Sequence, residues 1–191
     1  MGSWCGLTAP VIFLACWYTA ILMTPDYNVG GQWVSDLGVR EGASYFNSGV
    51  VVAGALAIPL ALSLGAVLRP QLLGIIGSAF LALSGIALMG VGIFTEDAGD
   101  LHLAFSVAFF LLVFTTAILL ILPLHQSQAM RPWTAPLTLV VVIIGIIMGA
   151  LYGFGPLTET VVVLIVAIWI FLISFRLRWY LCVHLREYET N

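Results

Sequence analysis

Long apolar runs separated by short polar breaks set the pattern of this chain, and none shows the two-residue alternation of a half-exposed strand. Six runs are long enough, at about 20 residues each, to cross ~30 Å of hydrocarbon as a helix. They fall near residues 8–24, 46–68, 71–93, 101–123, 135–153 and 158–180. Lipid offers backbone amides no hydrogen bonds, so runs of this length must bond within themselves, as helices do. The pattern therefore predicts an all-α polytopic membrane protein, a bundle of six transmembrane helices forming a single integral membrane domain over residues 1–191. The breaks agree with this reading. Arg69-Pro70 follows the second run, Pro123 closes the fourth, Pro132 and Pro136 open the fifth, and Gly153-Phe154-Gly155-Pro156 turns the chain into the sixth.

Rows of small residues recur at four-residue spacing. Gly49, Ala53, Ala57, Ala61 and Gly65 lie on one face of the second helix. Gly145, Gly149 and Gly153 repeat the pattern in the fifth, and Gly74, Ser78, Ala82 and Gly90 in the third. Such rows let helices approach closely in lipid, where no hydrophobic force draws them together. They predict internal packing of the bundle, or a surface for a homo-oligomer or other membrane subunits.

Composition strengthens the membrane reading: 62% of residues are hydrophobic and 8% charged, against about 25% charged in a soluble domain. The first run has the length of a signal peptide but no basic segment before it, and reads as a retained helix. The chain has no lysine. Arg69, Arg131, Arg176, Arg178 and Arg186 fall on the side of the two termini, with Arg40 opposite. That bias predicts cytoplasmic termini. Asp26, Asp36, Glu41, Glu96, Asp97, Asp100 and Glu159 then form an acidic non-cytoplasmic rim, while Glu187 and Glu189 lie inside. With a formal charge of -3 and no basic stripe, nucleic acid is not a partner to expect, whereas membrane lipid is. Trp4, Trp33, Trp133 and Trp179 suit interfacial belts, and Trp17 and Trp169 sit deeper. The three cysteines, Cys5, Cys16 and Cys182, show no paired spacing.

Candidate chemistry concentrates in the stretch from Gly92 to His102, which packs Glu96, Asp97, Asp100 and His102 between two apolar runs. The loop from Pro25 to Tyr45 contributes Ser35 and Asp36, and Asn47 opens the second helix. Topology brings these loops, with Thr158 and Glu159, to the same end of the bundle. Ser35, Asp36, Asn47, Glu96, Asp97, Asp100 and His102 are therefore the candidate polar or ligand site. Three chemistries fit. His102, Asp36 and Asp97, with neighbouring carboxylates, are a candidate divalent metal set. The same groups suit an interfacial metal-dependent hydrolase acting on lipid headgroups. Finally, the carboxylates suit helix caps, with His102 as a hydrogen-bonded staple. The segment Ser35-Asp36-Leu37-Gly38 reads as a turn in which Gly38 is free to take a positive φ.

Haem is disfavoured: His102 and His125 lie at opposite ends of one helix, about 34 Å apart at 1.5 Å per residue. An ion-coupled pump is disfavoured too, because no ionisable residue sits mid-helix.

Tyr27-Asn28, Ser35-Asp36-Leu37-Gly38, Phe46-Asn47, Gly92-Ile93-Phe94-Thr95-Glu96-Asp97 and Leu101-His102 together resemble the prokaryotic six-helix membrane family called domain of unknown function 998. The resemblance implies a six-helix bundle with polar motifs on one face and assigns no activity. The expected function is a non-catalytic membrane component, either a subunit of a complex or a lipid- or ion-binding protein. The hydrolase stands as the alternative.

Overall fold

The computed structural model describes residues 1–130 and 132–189, with side chains as far as Val183. Arg131 and the side chains of Arg186, Glu187 and Glu189, which entered the charge pattern, lie outside the described residues. Six helices make up the fold: α1 Gly2–Met23, α2 Ala43–Val67, α3 Leu72–Ile93, α4 Asp100–Gln126, α5 Thr134–Tyr152 and α6 Pro156–Glu189. Two short 3-10 turns, Ser35–Val39 and Glu96–Ala98, lie in the connections. All six helices are long and apolar enough to cross a membrane. The protein is an all-α integral membrane protein.

Several helix ends differ from the sequence pattern, for local reasons. α1 begins at Gly2 because small residues let its first turn pack directly on α2: a Cβ on Gly2 would lie 2.1 Å from the Pro59 carbonyl oxygen. Pro123 does not close α4. It sits in the last turn, and its carbonyl accepts the Ser127 N–H at 2.9 Å, so the helix runs to Gln126. α6 starts at Pro156, where a missing N–H costs nothing. Gly153, at φ 64°, provides the reversal before it. Cys182, beyond the sixth apolar run near 158–180, lies within α6, and all three thiols are free.

Each helix packs on the next in sequence, and α6 returns to α1, so the six close into a ring. The helices α2 and α3 also approach closely, backbone to backbone. A Cβ on Gly54 would lie 2.5 Å from the Gly85 carbonyl oxygen, and one on Gly85 would lie 2.6 Å from that of Gly54. The α2 row is likewise used inside the bundle, since Gly49 abuts Cys16 of α1 and Gly65 faces Ser78 of α3. The α5 row is divided: Gly145 meets Phe114, whereas Gly149 and Gly153 have no neighbouring atom within 4 Å of an added Cβ.

Two apolar cores fill the ring. At the end near the termini, Leu60 and Leu64 of α2 and Leu68, which caps it, meet Leu120 and Leu124 of α4 and Trp169, Ile173 and Leu177 of α6, all fully buried. The Trp169 indole N–H is satisfied there by Thr138 Oγ1 at 2.9 Å. At the opposite end, Phe13, Trp17 and Ala20 of α1 pack with Phe46 and Val50 of α2. The connection between α1 and α2 joins this second core, because it buries Tyr27, Val34 and Leu37. Leu37 is 0% exposed. The connection is thus a folded lid across the end of the ring, and burial of its apolar side chains holds it there.

Candidate functional site: a cavity beneath a hydrogen-bonded lid

The lid is fastened at three points to different helices. Asn47, in the second turn of α2, donates from Nδ2 to the Gly38 carbonyl at 2.9 Å. The Val34 N–H donates to Glu159 Oε2 at the start of α6, at 2.6 Å. Ser35 Oγ donates to Glu96 Oε1, in the α3–α4 connection, at 2.7 Å. Within the lid, Asp36 Oδ2 accepts the Trp33 N–H at 3.1 Å and so ties the 3-10 turn to the chain that enters it. Gly38 does not take the positive φ expected of it; that conformation belongs to Gly30, Gly99 and Gly153. Glycine is needed at 38 for proximity instead, since a Cβ would lie 2.7 Å from Asn47 Oδ1.

Asp36, Glu96 and Glu159 therefore meet under the lid. Burial pushes the Glu96 carboxyl above its ordinary pKa; the Ser35 hydrogen bond opposes this, and the adjacent Asp36 carboxyl adds to it. Tyr27 is pushed up to about 12, first by burial and then by the charges of Glu159 and Asp36. Its hydroxyl is buried beside the Trp17 indole.

The remaining expected residues are placed differently. His102 Nδ1 lies 2.7 Å from the Phe94 carbonyl, and Nε2 lies 3.3 Å from Ser106 Oγ. A carbonyl can only accept, so Nδ1 carries a proton, and in the neutral ring Nε2 accepts from the serine. His102 thus ties the first turn of α4 to the end of α3. Asp97 is exposed and accepts from Thr95 Oγ1, and Asp100 is exposed in the first turn of α4. The residue capping α4 is Gly99, with no side-chain cap bond, so neither aspartate serves as the expected cap. Asp100 acts on that helix only as a negative charge near its N-terminus. The set His102, Asp36 and Asp97 is not gathered around a common point. Among the described residues, no group of three or more His, Cys, Asp or Glu is placed to hold a metal ion.

Below the lid, in the half of the ring away from the termini, lies a cavity of about 110 Å³. Phe13, Phe46, Val50, Ala53, Leu88, Phe109, Val113, Val163 and Ile170 are among its walls, which come from α1, α2, α3, α4 and α6 but not α5. Its polar lining is confined to Ser35, Ser84, Ser106 and Glu159. Glu159 and Ser35 mark the lid end, and Ala57 and Ile170 mark the depth. From Glu159 to Ile170 along α6 is about 16 Å at 1.5 Å per residue. The space is therefore long and narrow.

Residues 7–176 match the family described as protein of unknown function (DUF998). The chain belongs to this family. No curated protein and no solved structure matches it. The lid, its three fastenings and the whole cavity wall lie inside the span matched to DUF998. Of the residues singled out from sequence, this DUF998 chain joins Ser35, Asp36 and Glu96 directly, uses Asn47 as a clasp, and leaves Asp97 and Asp100 at the surface. Glu159 was placed at this end of the bundle from sequence but left out of the candidate set. Nothing in the residues beside its Gly-Pro turn marks it as covered, and it is the folded lid that covers it.

Proposed function

We propose that this DUF998 protein is a non-catalytic lipid-binding component of the membrane, which holds one single-chain amphiphile inside its helix ring. The observation that carries the reading is the cavity: a narrow, apolar space roofed by a hydrogen-bonded lid, with a carboxylate at its roof. A space of about 110 Å³ drawn out along α6 is too small for two chains, so the reading takes a single one. Binding sites of this kind are mostly apolar with a few polar groups that fix orientation, and Glu159, Ser35 and Ser106 are placed to do so. The arginine bias supports cytoplasmic termini, which puts the roof at the non-cytoplasmic surface, within reach of the outer leaflet. The unfilled positions at Gly149 and Gly153 support α5 as the face for a second copy or another membrane subunit.

Native mass spectrometry of the protein released from detergent micelles tests the reading. One retained single-chain amphiphile per protein is expected, and it should be lost from Ala53→Phe, which fills the cavity, with helical content unchanged. A wild-type protein that retains no such molecule, or an Ala53→Phe variant that keeps it, would overturn the assignment.

A further inference from the structure

We propose that the head of the bound amphiphile is an amine, held as an ammonium ion by Glu159. This deepens the cavity reading and rests on it. The argument is an inventory of donors and acceptors facing the space. Glu159 is the one ionisable residue in the wall among the described residues, and no arginine or histidine lines it. Each of the other polar wall groups has already given its proton away. Ser35 Oγ donates to Glu96, and Ser84 Oγ donates to the Leu81 carbonyl at 2.8 Å. In the neutral His102 ring, where the Phe94 carbonyl holds the proton on Nδ1, Ser106 Oγ donates to Nε2. The Val34 N–H is spent on Glu159. What the wall still offers is oxygen lone pairs.

A cavity built only of acceptors selects a head that brings donors. A carboxylate or phosphate head would place a second anion beside Glu159 with no donor to receive it, in a setting of low polarity where such repulsion is strong. An alcohol brings one donor. An ammonium brings three, with a charge opposite to that of Glu159, and charge-assisted hydrogen bonds are roughly twice as strong as neutral ones. The lid amides occupy only part of the Glu159 carboxylate, which has about four lone-pair positions. Ser35 and Ser106 add neutral acceptors from the lid and from α4.

The test compares decylamine, decanol and decanoate by calorimetric titration into the protein held in phosphatidylcholine nanodiscs, with protein-free discs subtracted. In wild type, decylamine should bind at least about tenfold more tightly than decanol, a difference of ~1.4 kcal/mol. Decanoate should show no saturable binding. Glu159→Gln keeps an acceptor for the Val34 amide and should bring decylamine down to the affinity of decanol. Ala53→Phe should abolish binding of both. Decanol equal to decylamine in wild type, or saturable binding of decanoate, with either lost in Ala53→Phe, would overturn the amine assignment and leave the cavity reading standing. Saturable binding by none of the three would overturn both. If Glu159→Gln fails to fold, the order of the three heads in wild type decides alone.

Discussion

Replacing Gly38 with alanine should loosen the lid, and removing the Asn47 side chain beforehand should make the same replacement harmless. Gly38 is buried, and its backbone is not left-handed, so alanine meets no conformational penalty there. By restricting the unfolded chain, alanine would itself contribute about 0.4–1 kcal/mol of stability. The obstacle is the Asn47 side chain. The new Cβ would lie 2.7 Å from Asn47 Oδ1, so the amide must swing away and give up its 2.9 Å bond to the Gly38 carbonyl. The bond contributes about 1 kcal/mol net, and a carbonyl left buried without a partner costs about 1–3 kcal/mol. Gly38→Ala in wild type should therefore lose about 1–2 kcal/mol once the chain-entropy gain is set against these terms. Asn47→Ala alone should lose a similar amount. In the Asn47→Ala background, Gly38→Ala should be neutral or stabilising by up to about 1 kcal/mol. The coupling between the two sites is then about 1–3 kcal/mol. Reversible unfolding in mixed micelles, followed by tryptophan fluorescence for the wild type, both single variants and the double variant, gives the full cycle. If Gly38→Ala costs the same with and without Asn47, the contact between them does not explain the glycine, and the account of how the lid is clasped fails.

Two further outcomes follow from the packing and the electrostatics. Gly54→Ala should be severely destabilising, by about 3 kcal/mol or more, because the new methyl can be relieved only by moving the α3 backbone away. Gly149→Ala has open space and a helical backbone and should gain about 0.5–1 kcal/mol as a monomer; thermal melting of the two variants side by side separates these cases. Stability should also depend on pH through Glu96. Its folded-state pKa is raised above 4.5, so the folded form holds that proton more tightly than the unfolded form does. Its contribution favours folding most at pH below 4.5 and declines as pH climbs through the raised value. Melting temperatures between about pH 4 and pH 8 should show this decline, and Glu96→Gln should flatten it; an unchanged slope in that variant would show that Glu96 is not its source.

The bundle was legible in the sequence because lipid imposes a single rule, one apolar run for each crossing, and the six runs obey it. Its helix ends were less so. Pro123 reads as a terminator, yet a proline in the last turn loses one bond and leaves its carbonyl free to accept Ser127. The polar end was legible in outline, because odd and even connections must lie at opposite ends of an antiparallel bundle. That argument brings Ser35, Asp36 and Glu96 to one level but says nothing about which side chains touch. Asp97 and Glu96 are neighbours in sequence, yet one faces outward and the other joins the lid, a choice made by a single 3-10 turn. His102 looked like a ligand because the chain has few histidines, and its two ring nitrogens instead hold Phe94 and Ser106. The cavity had no signature at all. It is a gap between helices, set by the sizes of side chains such as Ala53 and Ala57 on facing walls.

The unequal filling of the ring divides the molecule into a solid base and a hollow top. Around Trp169, Leu64 and Leu120 the interior leaves no exposed surface to speak of, so that half moves only if the whole protein comes apart. The top is enclosed by a loop and three short fastenings, and it can breathe while the base stays put. Amide exchange should accordingly be graded along each helix, slow toward the termini and quicker toward the roof. A guest would come and go by local opening of the top, with no need to unfold its host.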